Sequence, residues 1–140
     1  MKLYRLKSQY IIACCLILVT GCQSTEVFNN KDLNQNMLDI RIYQENLGDY
    51  LKENRLKESE WLLEEMDSIF LLLNRQFKEH RKLAAPFSYY YKKEIQKPIN
   101  GIRDAIQSED STKALHHYRI LINNCNDCHI DNDIDKKVKY

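Results

Sequence analysis

The chain has 140 residues, enough for one domain. Its 21 lysines and arginines almost balance 20 aspartates and glutamates, a formal charge of +1. That leaves no basic surplus of the kind that holds nucleic acid or an anionic bilayer.

The first segment does not belong to the domain. Met1 to Lys7 carries Lys2, Arg5 and Lys7 and no acid, and Tyr10 to Val19 is an uncharged run. A basic start followed by a short apolar stretch reads as an export signal. Ten residues rise about 15 Å as a helix, too little for a hydrocarbon core of about 30 Å. The signal ends in Leu18-Val19-Thr20-Gly21-Cys22, which resembles the lipobox of bacterial lipoproteins. The resemblance implies cleavage before Cys22 and acylation of its sulfur, with 1–21 as signal peptide. Each buried methylene of a lipid contributes roughly 0.8 kcal/mol, so several chains hold a protein firmly on a bilayer. Losing 21 of 140 residues leaves 119, in which 18 basic residues face 20 acidic ones. Cys14 and Cys15 depart with the signal; Cys125 and Cys128 then have only each other or a ligand.

Residues 22–30 are short, polar and without pattern, and read as a tether. From residue 31 to the end, helical periodicity recurs four times, with no sustained alternation of the strand type. The first predicted helix spans Lys31 to Glu53 with Leu33, Met37, Ile40, Leu47 and Leu51 on one stripe. The second spans Lys57 to Lys78 with Leu62, Met66, Ile69, Phe70, Leu73 and Phe77. The joint Asn54-Arg55 is short enough to make them antiparallel neighbours. A looser stretch, Glu79 to Ser88, holds Pro86. The third helix runs from Tyr89 to Gln107 with Tyr91, Ile95, Ile99, Ile102 and Ile106 inward. Pro98 within it removes a backbone donor and predicts a kink or a restart. The fourth starts near Asp110-Ser111-Thr112, all good N-caps. It carries Leu115, Tyr118, Leu121, Ile122 and Cys125 in register. The expected fold is all-α, an antiparallel up-down-up-down four-helix bundle.

Cys125-Asn126-Asp127-Cys128-His129 is the C-x-x-C-H pattern of c-type haem attachment. Two thiols must reach two vinyl groups, and a step of three puts them one turn apart on one helix face. The adjacent histidine can then ligate the iron. Other readings are weaker. A thioredoxin-like dithiol follows a strand and opens a helix, whereas this motif closes one. A zinc site needs about four ligands, and only His80, His116 and His117 are at hand. A local disulfide is compatible with export.

A helical bundle of this size with one such motif near its C-terminus resembles the class II cytochromes c, the cytochrome c-prime and cytochrome c-556 group. The resemblance covers Leu33 to the end. It implies one covalent haem c within the bundle, thioether-linked at Cys125 and Cys128, with His129 as proximal ligand. In the c-556 type a methionine early in the first helix binds the iron, and Met37 matches that position. Core packing is the competing role for Met37. Met66 reads as core, and His80 as a lesser ligand candidate in a loop. His116 and His117 lie about 18 Å up the helix from His129 and cannot share its iron. Phe87, Tyr89, Tyr90 and Tyr91 open the third helix at the same end of the bundle and could wall a haem pocket; Trp61 reads as packing.

The function that follows is a one-electron carrier on the periplasmic side of a bacterial membrane, the outer more than the inner. It is anchored through Cys22 and docks with redox proteins at the surface, and a homodimer stays open. No residues for substrate turnover are evident, so it does not read as an enzyme. The alternatives are a five-coordinate haem protein binding nitric oxide or carbon monoxide, and a structural helical lipoprotein without haem.

Overall fold

The computed structural model describes residues 32–78 and 83–139. The signal segment, Cys22, the tether and His80 lie outside them. The described residues are all-helical, without a strand. Helix α1 (Leu33–Lys52) starts behind Asp32, whose carboxylate accepts from the backbone N–H of Gln35 at 2.8 Å. That contact satisfies one of the orphan donors of the first turn. It ends in the joint Glu53-Asn54-Arg55, where Asn54 takes a left-handed φ of 58°. Asparagine tolerates that conformation better than most residues. Helix α2 (Leu56–Gln76) follows at once.

The third predicted helix begins two residues earlier than its sequence indicates, directly after Pro86. It is built as α3 (Phe87–Tyr90), a π-helical turn (Tyr91–Ile95) and α4 (Gln96–Gln107), without interruption. The expected irregularity therefore lies just upstream of Pro98. Pro98 has no N–H for the carbonyl of Glu94, four residues back. Asn124 Nδ2 takes that acceptor instead, at 2.6 Å. Helix α5 (Ser111–Asp131) is capped by Asp110, whose carboxylate accepts from Lys113 N at 2.9 Å.

Helix α1 packs along α2 and α4 along α5; α2 against α4 and α1 against α5 close the set. The predicted stripes supply most of the core. Leu47, Leu63, Met66, Leu73, Ile99, Ile102, Tyr118, Leu121 and Ile122 are buried in it. Each such side chain contributes roughly 1.5–3 kcal/mol by leaving water. Met37, Ile69, Phe77, Leu115 and Cys125 sit at its edge, partly buried. Trp61 departs from its expected packing role. It is 59% exposed and meets the Tyr43 ring edge-to-face, with ring centroids 6.1 Å apart.

Polar residues also enter the interior: Asn36, Gln44, Ser59 and Asp67 are buried. Each has at least one partner, although Gln44 is satisfied through its Nε2 alone and its Oε1 has none. Asp67 accepts from Arg103 Nη2 at 2.8 Å and from the Tyr91 hydroxyl at 3.3 Å, while Arg103 Nε donates to Glu64 at 2.7 Å. No described helix is long and apolar enough to cross a membrane.

Candidate functional site

The C-x-x-C-H motif occupies the last two turns of α5. Cys125, Cys128 and His129 are all partly buried, and both cysteines are free thiols. The step of three sets the thiols one turn apart, and Cys125 meets the edge of the core. Burial pushes the Cys125 thiol up to about 12, with Cys128 adding to the effect. The Cys128 thiol stands at about 11 through burial, then through Asp131 and Glu94, against the contact from Asn132. Both are therefore neutral thiols at neutral pH, in contrast to the depressed thiolates of redox dithiols.

His129 Nδ1 lies 2.6 Å from the carbonyl oxygen of Lys136. A carbonyl can only accept, so Nδ1 carries the proton, and the Nε2 lone pair is left for a metal. Lys136 reaches this place because the chain reverses after the helix. Asn132 caps α5, and Asp133, with φ 52°, turns the backbone. Ile134 N then donates to His129 O at 2.8 Å. Residues 134–139 run back beside the motif. Val138 N donates to Asn126 Oδ1 at 2.7 Å, and Asn126 Nδ2 donates to Val138 O at 3.1 Å. Further along, Lys139 O accepts from Gln44 Nε2 at 2.9 Å, which ties the tail to α1.

Asn132 fastens the other side. Its Nδ2 donates to Cys128 O at 2.7 Å, and its Oδ1 accepts from Ala84 N at 2.6 Å. The Tyr90 hydroxyl reaches the same oxygen at 3.4 Å. Of the aromatic group at the head of α3, Tyr90 thus meets the end of the motif helix. Phe87 is buried and stacked on Phe70, Tyr91 turns to Asp67, and Tyr89 is half exposed.

Sequence reasoning missed Asn126, Asn132 and the returning tail. The spacer residues of C-x-x-C-H carry no haem chemistry, so Asn126 has no motif role. Asn132 had one available signal: asparagine just past the end of a helix is a frequent cap. Cys125, Cys128 and His129 share the C-terminal end of α5. Met37 is partly buried on α1 and packs against the edge of the core. His116 and His117 meet each other edge-on at 5.5 Å, and His117 lies against Gly101. A groove of about 410 Å³ beside them is lined by Lys97, Asn100, Lys113 and His117 among others, and includes no motif residue.

The residues fit a haem better than a bare ion. Among the described residues no three or more His, Cys, Asp or Glu gather as a metal-ligand set. A porphyrin brings its own four nitrogens and asks the protein only for axial ligands and, in the c type, two thiols. His129 has a free Nε2 and the thiols are unpaired. No family model, curated protein or solved structure matches the chain.

Proposed function

We propose that the chain is a membrane-anchored, periplasmic monohaem c-type cytochrome that carries single electrons. The observation that carries the reading is the Nδ1–H of His129 held on the Lys136 carbonyl, in a motif whose two thiols are free. A backbone acceptor on the other ring nitrogen fixes the tautomer of a ligating histidine and raises its basicity. Cys125 and Cys128 would hold the group by thioethers, and His129 Nε2 would ligate its iron. When bound, haem c supplies a one-electron ferric–ferrous couple.

An antiparallel up-down-up-down arrangement is part of the proposal. Pairing between α5 and the segment before it supports it: Asn124 meets Glu94, and His117 meets Gly101, so one number falls as the other rises. In such an arrangement the pairing of Gln44 with Tyr118 would set Met37, seven residues earlier on α1, level with Cys125, seven residues later on α5. That register supports Met37 as the sixth ligand, with a thioether sulfur that would raise the potential. Acylation at Cys22 and docking with redox proteins rest on the sequence reading.

Production in a host that matures cytochromes c, followed by haem staining of a denaturing gel, tests the core of the reading. Covalent haem should survive denaturation and vanish in the Cys125→Ser/Cys128→Ser double variant. A clean negative would leave a structural helical lipoprotein. The reduced spectrum should show sharp low-spin bands, and Met37→Ala should convert them to a high-spin form. An unchanged spectrum removes Met37 from the site. A broad high-spin spectrum in the unmodified protein favours gas binding instead.

A further inference from the structure

The hydrogen bond on His129 is delivered by a segment outside the C-x-x-C-H motif, and a spacer residue of the motif holds that segment in place. Lys136, which supplies the carbonyl, is exposed and belongs to no helix. Its backbone is fixed from both sides. Upstream, Asp133 turns the chain and Ile134 N is bonded to His129 O at 2.8 Å. Downstream, Asn126 offers its amide to both backbone groups of Val138, at 2.7 and 3.1 Å, and Gln44 Nε2 holds Lys139 O at 2.9 Å. Asparagine fits such a place because one short side chain presents a donor and an acceptor together. Neither aspartate nor alanine does both.

We propose that Asn126 is a positioning residue for His129. By clamping Val138 it sets the tail so that the Lys136 carbonyl holds the Nδ1 proton of the imidazole, leaving Nε2 unprotonated as the ligating nitrogen. The proposal rests on the haem reading only for its consequence at the iron; the clamp itself is a property of the chain. A bonded Nδ1–H makes the imidazole a stronger donor, which favours the ferric state. Without the clamp the backbone of the tail has only the Lys139 bond downstream, beside the packing of the Val138 side chain against the core edge; the carbonyl drifts, and both tautomers become populated.

The test uses the full chain, prepared with and without haem attachment. In the haem-free protein, two-bond ¹H–¹⁵N NMR of the neutral His129 ring should find the proton on Nδ1. In Asn126→Ala the two nitrogen signals should move toward each other as the tautomers mix. Deletion of residues 138–140, which leaves the Lys136 carbonyl an amide, should do the same, and the combined variant should add nothing. Asn126→Asp, which keeps the acceptor for Val138 N alone, should fall between. Far-ultraviolet circular dichroism confirms that the helices persist, and the deletion serves as the independent variant if Asn126→Ala unfolds. In the haem-loaded protein, Asn126→Ala should move the midpoint potential to a more positive value.

A proton on Nε2 in the unmodified protein, or an unmoved tautomer in folded Asn126→Ala and in the deletion, overturns the clamp. An unmoved potential overturns its role at the iron. Failure of haem to attach at all would sink the haem reading and leave the tautomer measurement to decide the clamp.

Discussion

Glycine at position 48 is a packing residue, not a hinge. A Cβ there would meet Cζ of Tyr118 at 2.7 Å. That ring cannot withdraw without loss, because its hydroxyl donates to Gln44 O at 3.1 Å and accepts from the Gln44 amide. In an exposed helix, Gly→Ala gains roughly 1 kcal/mol from propensity. Here overpacking costs typically 1–3 kcal/mol and outweighs that gain. Gly48→Ala should therefore lower stability in urea titration. In a Tyr118→Phe background, where the hydroxyl is gone, the loss should shrink.

The element that departs most from ideal geometry is the segment from Phe87 to Gln107. Its π-helical turn and Pro98 leave the Glu94 carbonyl without its intrahelical donor, and Asn124 supplies one from α5. Removing that donor should leave an unsatisfied acceptor, at about 1–3 kcal/mol. Asn124→Ala should be destabilising in the native sequence. With Pro98→Ala, which restores an N–H at that position, it should cost little. A double-mutant cycle by denaturant unfolding reads the coupling, expected near 1 kcal/mol or above. Additivity would show that Pro98 and Asn124 act separately.

Across the whole molecule, several buried groups resist ionisation at alkaline pH while the fold persists. Burial lifts Tyr118 from 10.0 to about 12, and burial followed by the Asp67 charge lifts Tyr91 to about 12. Raised values contribute stability that is fully present below the unfolded value and is lost as pH rises through the folded one. Stability should hold to about pH 9 in the haem-attached protein and decline between about 10 and 12. Tyr118→Phe should flatten that decline. Without haem, Cys125 and Cys128 add the same behaviour from 9.0 upward, with folded values of about 12 and about 11. Thioethers do not titrate, so attachment should delay the onset of alkaline unfolding, measurable by circular dichroism against pH. At the same scale, Cys22→Ala should release the protein from membranes on fractionation if the lipid on Cys22 is the anchor.

The order of the helices and most of the core were legible because apolar residues at three- and four-residue steps have only one way to reach an interior. Leu47, Met66, Ile102 and Leu121 lie where their period puts them. The motif was legible because its chemistry is local: two thiols one turn apart with an imidazole beside them. Contacts between residues far apart in sequence were not. Gln44 on Tyr118, Arg103 on Asp67 and Asn124 on Glu94 join positions 30 or more residues apart. Buried polar side chains carry no period that announces them. The clamp on His129 was hidden for a related reason. The tail has no helical pattern, and its hold on the motif comes from backbone groups that every residue possesses. Local periodicity thus determined the elements, and local residue chemistry the motif. Tertiary structure alone decided which carbonyl faces His129, because that depends on where the chain turns after Asn132.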